Sequence, residues 1–369
     1  MKRPLVLVLG PSREAISGVS THVNSLLGSK LGSEFTLEHF QVGSEGREEG
    51  ALRRLLRLAL SPLALAAAIL VRDARIVHLN TSLNARAWWR DLVYVLIARL
   101  CGARVVLQVH GGVLERFASS PLLASFVRLA RRWPDAIVVL STSEHEAWRR
   151  VAAAQNVAVL PNGIDCAPYR RYNRNFPQAG EPLRLIYVGR LAPAKGLSET
   201  IRGLAIAKAR GVAARLVIAG SGPEEARLRQ EAREAGIENE VSFAGPAYGD
   251  HKALLLSQSD VLCLPSYSEG LPYALLEAMA AGVVPIVTRV GAIPDVVGEG
   301  VHGVFVPARD AGAIGAAIAR LAADRAGLVC MSAACRKRIA GVYSIERVAS
   351  GFSGLYSALC AARAPKAVL

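Results

Sequence analysis

The chain has 369 residues and a net charge of +14, with 52% hydrophobic and 20% charged residues. This length suits two domains of roughly 150 to 200 residues, and the composition excludes a largely disordered chain. Residues 1–170 hold 21 basic and 13 acidic side chains, and the remainder hold 23 and 17, so both halves are basic. This charge predicts an anionic partner. We do not expect that partner to be nucleic acid, because the sequence shows no helix-turn-helix, zinc-finger or RNA-binding signature.

Cysteine usage and apolar run length both indicate a cytoplasmic protein. The six cysteines are scattered without a C-x-x-C pair or zinc-type spacing, which is typical of reduced thiols in a core. The longest apolar stretch, residues 58–71, has 14 residues and includes Pro62, whereas a membrane span needs about 20. We therefore predict no transmembrane helix.

Short apolar runs alternate with longer helical patterns along most of the chain. Because they lack alternating polar residues, such runs are typical of parallel strands buried on both faces. The pattern predicts an α/β fold with two doubly wound domains, whose ligands bind at the carboxyl ends of the strands. The predicted strands are residues 5–9, 75–79, 104–108, 136–140 and 157–160, then 183–188, 214–219, 240–243, 261–264 and 284–288.

A polar segment rich in proline and glycine interrupts this pattern near the middle of the chain. We predict a linker over residues 171–182, between an N-terminal domain of residues 1–170 and a C-terminal domain of residues 183–343. Residues 344–369 form a final segment that is helical in pattern.

The most informative segment is SYSEGLPYALLEAMAAG, residues 266–282, in which an apolar strand leads through a loop into a helix. Pro272 suits the first turn of that helix, since its missing N–H costs nothing there. Glu269 lies at the helix mouth, where free amides favour anions or sugar hydroxyls, and Glu277 lies about one and a half turns further on. The two carboxylates are candidates to hold different parts of one extended ligand; two solvated glutamates are the alternative.

Other candidate residues also follow predicted strands. Arg190 and Lys195 flank a strand-to-helix turn and suit a diphosphate. His110 ends a strand, and Gly18 allows close approach of backbone to a phosphate. Gly220 and Gly222 follow a strand, but they do not complete a dinucleotide-binding G-x-G-x-x-G pattern and are assigned to the donor side.

The block EGLPYALLEAMAAGVVPIVT, with its Glu-x7-Glu spacing, resembles the signature of glycosyltransferase family 4. Further segments resemble that family in the expected order along almost the whole chain: SGVSTHV, VHGG, PNGID, VGRLAPAKG, IAGSGPEE and VSFAGP. The resemblance implies the GT-B fold, in which two Rossmann-like domains face each other across a cleft. It also implies that the segment 344–369 crosses back to the first domain.

The resemblance assigns roles to the candidate residues. Arg190 and Lys195 would clamp the diphosphate of a nucleotide sugar donor, and Glu277 would accept hydrogen bonds from its ribose. Glu269 would hold the transferred sugar together with the backbone amides of Gly270, Leu271 and Pro272, and His110 would face that sugar near the reacting carbon.

The reaction implied is transfer of a hexose from a UDP- or GDP-linked donor with retention of configuration. The nucleotide sugar is a co-substrate, and no further cofactor is expected. No metal is expected either, because the sequence contains no Asp-x-Asp pair and no cluster with metal-ligand spacing.

Two basic amphipathic segments, residues 51–60 and 121–133, lie in the half that would hold the acceptor. Such helices lie on anionic lipid, although packing on a sheet is the alternative. We predict peripheral attachment to the inner face of the cytoplasmic membrane and a lipid-linked or oligosaccharide acceptor in cell-surface polysaccharide synthesis. A nucleotide-sugar epimerase and a catalytically silent nucleotide-sugar-binding protein are the alternative functions.

Overall fold

The computed structural model describes residues 3–45, 49–112, 114–119, 121–172, 174–178 and 180–362. The chain forms two compact units. One contains residues 1–163 and 345–369, and the other contains residues 164–344.

The first unit is built on a parallel sheet of six described strands in the order β2-β1-β3-β4-β5-β6. The strands are β1 (Leu5–Gly10), β2 (Thr36–Gln41), β3 (Ala74–Thr81), β4 (Arg104–Val109), β5 (Ala136–Val139) and β6 (Val157–Val159). Its helices are α1 (Gly18–Leu27), α2 (Ala51–Arg72), α3 (Ala85–Leu100), α4 (Leu114–Phe117), α5 (Pro121–Ala130) and α6 (Thr142–Ala152), with a 3-10 turn at Lys30–Ser33.

The second unit repeats this architecture with the strand order β12-β11-β10-β7-β8-β9. Its strands are β7 (Leu183–Val188), β8 (Ala214–Ala219), β9 (Val241–Gly245), β10 (Val261–Leu264), β11 (Val284–Val287) and β12 (Val304–Phe305). Its helices are α7 (Ala167–Arg170), α8 (Leu197–Ala209), α9 (Glu225–Glu234), α10 (Gly249–Ser257), α11 (Tyr273–Ala280), α12 (Ile293–Val296), α13 (Ala311–Ala323) and α14 (Arg325–Arg338). Single turns occupy Pro193–Lys195, Glu238–Glu240 and Ile339–Tyr343.

Both faces of the first sheet are buried, as expected of parallel strands. Along β1, Leu7 and Leu9 point to one apolar cluster, whereas Val6 and Val8 point to the other. The last helix, α15 (Ile345–Ala361), covers the second of these faces, and its Phe352 and Tyr356 are fully buried there. The final helix therefore belongs to the core of the first unit.

The boundary between the units differs from the predicted linker. The amide of Ile164 donates to the carbonyl of Tyr343 at 3.0 Å, and α7 packs on α10 and α11. Residues 164–182 are therefore part of the second unit, and the chain divides after Gly163 and after Ser344.

Ten of the twelve described strands were predicted, and β2 and β12 were missed. The strand β2 lies at the edge of its sheet, reads TLEHFQ and is nowhere fully buried. The strand β12 has two residues, too few to give a pattern. Edge strands and very short strands lack the apolar run on which the prediction depended.

The helix α2 is longer than predicted, because it continues through Pro62 over 22 residues. Proline removes one backbone hydrogen bond within a helix. The carbonyl of Leu58, four residues earlier, instead accepts a hydrogen bond from the Ser61 hydroxyl at 3.2 Å. By length and composition α2 could cross a membrane, and only 11% of its most apolar stretch is buried. Leu65 and Ile69 join α2 to the core of the first unit.

Candidate functional site

The strand order of the second sheet predicts where a ligand binds. From β7 the chain proceeds to β8 and β9 on one side and then returns to β10 on the other side of β7. Ligands of open parallel sheets bind outside the carboxyl ends of the strands at such a switch point. The loops after β7 and β10 carry Arg190, Lys195 and Glu269, so the sequence-predicted residues lie at this point.

Lys195 and Glu269 form an ion pair across the switch point. The Lys195 Nζ lies 2.6 Å from the Glu269 Oε1, and the two side chains are 26% and 10% exposed. Lys195 ends the 3-10 turn after β7, whereas Glu269 lies in the loop after β10. Two groups assigned to different parts of one ligand therefore form an ion pair with each other.

Backbone contacts hold these two loops together. The amide of Tyr267 donates to the carbonyl of Ala194 at 2.8 Å. Gly196 has φ +71, and a Cβ there would lie 2.3 Å from the carbonyl oxygen of Pro265. Gly291 packs as closely on the other side, where a Cβ would lie 2.2 Å from the carbonyl oxygen of Glu269. Glycine is required at both positions, so the loop bearing Glu269 is fixed by its neighbours.

Glu277 has two partners that the sequence analysis missed. It lies in α11, is nearly buried, and its Oε1 lies 2.6 Å from the Nζ of Lys252 on α10. Tyr169 on α7 also forms a side-chain hydrogen bond with Glu277, and burial followed by the charge of Glu277 raises the pKa of this phenol. The phenol therefore stays protonated and donates. These partners lie 25 and 108 residues from Glu277 in the sequence, so no motif spacing indicates them.

Gly220 and Gly222 support the loop that carries Arg190. A Cβ at Gly222 would lie 2.2 Å from the carbonyl oxygen of Leu191, and one at Gly220 would lie 1.8 Å from that of Gly189. The amide of Leu191 also donates to the carbonyl of Ser221 at 2.9 Å. The close packing of these glycines thus positions residues 189–191, with the Arg190 side chain exposed. Direct contact of the glycines with a ligand stays a prediction.

The helix α11 begins one residue later than the sequence indicated. Pro272 is its N-cap, with φ -72 and ψ 127, and Tyr273 is its first helical residue. Extended backbone at an N-cap leaves the following amides directed out of the helix end. The predicted role of residues 270–272 in holding a sugar stays a prediction.

In the first unit, His110 directly follows β4 at the carboxyl edge of the sheet. Its Nε2 lies 2.7 Å from the Oδ1 of Asn80, and the Nδ2 of Asn80 donates to the carbonyl of Leu9 at 2.9 Å. Because a carbonyl only accepts, the amide nitrogen must face Leu9, and the Nε2 of His110 must carry a hydrogen. In the neutral ring, Nδ1 is then an acceptor.

His110 belongs to a cluster with His22 and His78. The ring centroids of His22 and His110 are 4.6 Å apart, and those of His22 and His78 are 6.4 Å apart. Burial lowers the pKa of His22 to about 4 and, with the charge of His22 as a smaller cause, that of His78 to about 3. Burial and the two neighbouring histidines lower the pKa of His110 well below its usual value. All three rings are therefore neutral at physiological pH.

The other first-unit candidate, Gly18, is the first residue of α1 and is exposed. The preceding Ser17 caps the helix by accepting a hydrogen bond from the amide of Ser20 at 3.2 Å. Within the described part of the chain, no group of three or more His, Cys, Asp or Glu side chains has metal-binding geometry.

Comparison with known families assigns both units. Residues 32–168 match the model for Glycosyltransferase Family 4, and residues 170–338 match the model for Glycosyl transferases group 1. The chain is a member of glycosyltransferase family 4, an enzyme with the GT-B fold. The predicted α/β class with two Rossmann-like domains is confirmed.

Individual relatives agree with this assignment. The chain is 36% identical over 171 residues to a putative colanic acid biosynthesis glycosyltransferase of Salmonella typhimurium, covering 45% of this chain and 42% of that protein. It is 29% identical to the GDP-mannose:cellobiosyl-diphosphopolyprenol alpha-mannosyltransferase of Xanthomonas campestris, covering 68% of this chain and 64% of that protein. The structure of Anabaena HepE in complex with UDP and glucose superposes with a TM-score of 0.74 at 16% identity, covering 96% of this chain and 100% of that one.

Replacing Glu277 tests its assignment to the nucleotide. We expect Glu277→Gln to weaken binding of UDP or GDP, whichever the protein binds, by about tenfold or more in calorimetry, because charge-assisted hydrogen bonds contribute about 1.5–3 kcal/mol. Glu234→Gln, on the exposed surface of α9, is the matched control and should bind as the wild type does. Equal affinities for the two variants would contradict the assignment.

The histidine cluster predicts a loss of stability in acid. The unfolded chain takes up protons near pH 6.5, whereas buried His22 and His78 resist protonation until about pH 4 and 3. The free energy of unfolding should therefore fall as the pH drops from 6.5 towards 4, by about 1.4 kcal/mol per pH unit for each histidine. Urea titrations at several pH values measure this slope.

The variant His78→Gln keeps groups able to bond Tyr356 and Gln108. The slope of its free energy of unfolding against pH should be smaller than that of the wild type by about the contribution of one histidine. The control His251→Gln, on an exposed surface of the second unit, should keep the full slope. An unchanged slope in His78→Gln would rule out this source of acid sensitivity.

Proposed function

We propose that this family member transfers a hexose from a UDP- or GDP-linked donor, with retention of configuration, to a lipid-linked or saccharide acceptor during cell-surface polysaccharide synthesis. The observation that carries the proposal is the set of charges at the switch point of the second sheet. Lys195 and Arg190 follow β7, whereas Glu269 and Glu277 follow β10. Cations suit a diphosphate and carboxylates suit hydroxyl groups, so the set matches both parts of a nucleotide sugar.

The same charges support a reaction without a metal ion. The donor's diphosphate gains negative charge as its bond to the sugar breaks. Lys195 and Arg190 would compensate that charge, helped by the amides at the start of α11. The proposed course is a front-face substitution in which the departing phosphate oxygen helps to take the acceptor proton. This course does not require a carboxylate nucleophile.

His110 would contribute from the first unit. Its ring is held by Asn80 in the form that carries hydrogen on Nε2, and burial keeps it neutral. A neutral imidazole with hydrogen on Nε2 can accept a hydrogen bond from a sugar hydroxyl at Nδ1 without bringing positive charge to the sugar. This supports positioning of the donor sugar as its role.

The names of two relatives support the proposed class of acceptor. The Salmonella protein is named for colanic acid biosynthesis, and the Xanthomonas protein is named for transfer to a cellobiosyl-diphosphopolyprenol. The Xanthomonas name therefore favours a saccharide carried on a lipid diphosphate as the acceptor.

The surface of α2 supports attachment to the inner face of the cytoplasmic membrane. Leu52 and Leu55 are 73% and 67% exposed, and Arg53 and Arg54 lie beside them. Exposed leucines with neighbouring arginines favour an anionic lipid surface. For the second predicted segment, α5 is present, but the side chains of Leu122, Phe126 and Leu129 lie outside the described residues.

The proposal is tested by incubating the purified protein with UDP- and GDP-linked hexoses, with and without a lipid extract, in the presence of EDTA. We expect one donor to be consumed only when the extract supplies an acceptor. Proton NMR of the product should show the donor's anomeric configuration. EDTA should have no effect, because protein cations compensate the diphosphate.

Other outcomes separate the alternatives. Conversion of the donor to another sugar nucleotide without extract would indicate an epimerase. Donor binding without any turnover would indicate a silent binding protein. An inverted product, or activity that EDTA removes and Mg²⁺ restores, would contradict the proposed mechanism.

A further inference from the structure

The first unit contains a pocket of about 660 Å³ at its own switch point. The chain passes from β1 to β2 on one side and returns to β3 on the other side of β1. The pocket is lined by Pro11 after β1 and by Asn80, Thr81 and Ser82 at the end of β3. Its position is where an open parallel sheet binds ligands. Asn80, which orients His110, also lines this pocket, whereas the other lining residues have no role in donor binding assigned above.

Two helices form the walls of the pocket. Along α2, Arg54, Leu58 and Pro62 are four residues apart and line it with one face. Along α3, Arg90 and Tyr94 line it from the other side. The lining therefore combines apolar side chains with two guanidinium groups.

The Arg90 guanidinium is held in a fixed orientation. Its Nε donates at 2.6 Å to the Oδ1 of Asp91, which is almost completely buried, and the Oδ2 of Asp91 accepts from the Thr81 hydroxyl at 2.6 Å. The Nη1 of Arg90 lies against Gly43, where a Cβ would approach it to 2.6 Å. With Nε bound to Asp91, the terminal nitrogens are left on the pocket side, where they can bind an anion.

Polar groups on the opposite rim suit hydroxyl groups. Glu45 and Ser44 line the pocket in the loop after β2. Because Glu45 lines the same pocket as Arg54 and Arg90, the lining does not favour a simple multivalent anion. It favours a ligand that carries hydroxyl groups next to its anionic part, since carboxylate oxygens accept from hydroxyls.

An exposed apolar surface borders the pocket. It is formed by large side chains of α2 and α3 that are at least 41% exposed, namely Leu52, Leu55, Leu56, Leu60, Leu63, Leu70, Val71, Trp89, Val93, Leu96 and Leu100. Val93 belongs both to this surface and to the pocket lining. Apolar surface of this extent marks an interaction site, and here it is continuous with the pocket.

We propose that this pocket binds the diphosphate of a saccharide carried on a long hydrocarbon chain, with Arg54 and Arg90 on the phosphates and the hydrocarbon along the exposed surface of α2 and α3. The saccharide would lie towards Glu45 and the carboxyl ends of β1 and β3. This inference rests on the proposed function, because it makes the pocket the site of the lipid-linked acceptor.

Farnesyl diphosphate, used below its micelle-forming concentration, is a soluble probe with the required diphosphate and hydrocarbon. We expect it to bind the full chain in calorimetry more tightly than either inorganic diphosphate or farnesol alone. Arg54→Gln and Arg90→Gln should each weaken its binding by about tenfold, since each removes a charged donor to phosphate. Arg53→Gln is the matched control, because Arg53 is the neighbour of Arg54 on α2 and does not line the pocket.

Equal losses in Arg53→Gln and Arg54→Gln would overturn the proposal, since general surface charge would then explain the binding. Inorganic diphosphate binding as tightly as farnesyl diphosphate would also overturn it. Arg54 is exposed, so its variant keeps the fold and decides the outcome if Arg90→Gln does not fold. UDP and GDP are titrated into the same variants and should bind as they do to the wild type. Failure of the wild type to bind either nucleotide would count against the proposed function and leave the result for the pocket standing.

Discussion

The ion pair between Lys195 and Glu269 is the interaction on which the candidate site depends. Each group has a separate task in the proposed function, the lysine on the diphosphate and the glutamate on the sugar. The Lys195 Nζ and the Glu269 Oε1 lie 2.6 Å apart, and each group satisfies the other. A largely buried carboxylate or ammonium without a partner is costly, so a ligand that binds one of these groups has to offer a new partner to the other.

A second ion pair joins Lys252 on α10 to Glu277 on α11, and here too each group satisfies the charge of the other. In both pairs a carboxylate from the β10–α11 segment meets a lysine from another element. A nucleotide sugar offers its phosphates to Lys195 and its sugar hydroxyls to Glu269, so it can replace both partners of the first pair. A bare nucleoside diphosphate offers no sugar hydroxyl to Glu269, which favours the intact nucleotide sugar.

Parallel strand topology explains why the polar residues gather as they do. Each sheet reverses its order once, after β1–β2 in the first unit and after β7–β9 in the second. At these reversals adjacent loops diverge and leave space at the carboxyl edge. In the second unit that space holds the paired charges, and in the first unit it is the pocket between α2 and α3.

Sequence patterns predicted the buried strands because parallel strands covered on both faces read as continuous apolar runs. They missed β2, whose polar residues lie at a sheet edge, and β12, which has two residues. The Glu-x7-Glu spacing indicated Glu269 and Glu277. Lys252 and Tyr169 could not be predicted, because only the packing of α7 and α10 against α11 brings them to Glu277.

The pocket was likewise beyond sequence reasoning. It is lined by the part of α2 that continues through Pro62, where the Ser61 hydroxyl bonds the Leu58 carbonyl and also hydrogen-bonds Tyr94 on α3 at 2.6 Å. Residue periodicity indicated the basic amphipathic character of residues 51–60. It did not indicate which face of the helix would turn towards β3.

The most direct test of the account is a double-mutant cycle on Lys195 and Glu269, read by the affinity for the bare nucleoside diphosphate. Glu269→Gln should strengthen binding several-fold, because it releases Lys195 to the phosphates without removing a nucleotide contact. Lys195→Met should weaken binding, and adding Glu269→Gln to Lys195→Met should bring no gain. If Glu269→Gln has the same effect in both backgrounds, the two residues do not compete with the ligand for each other, and the central claim is wrong.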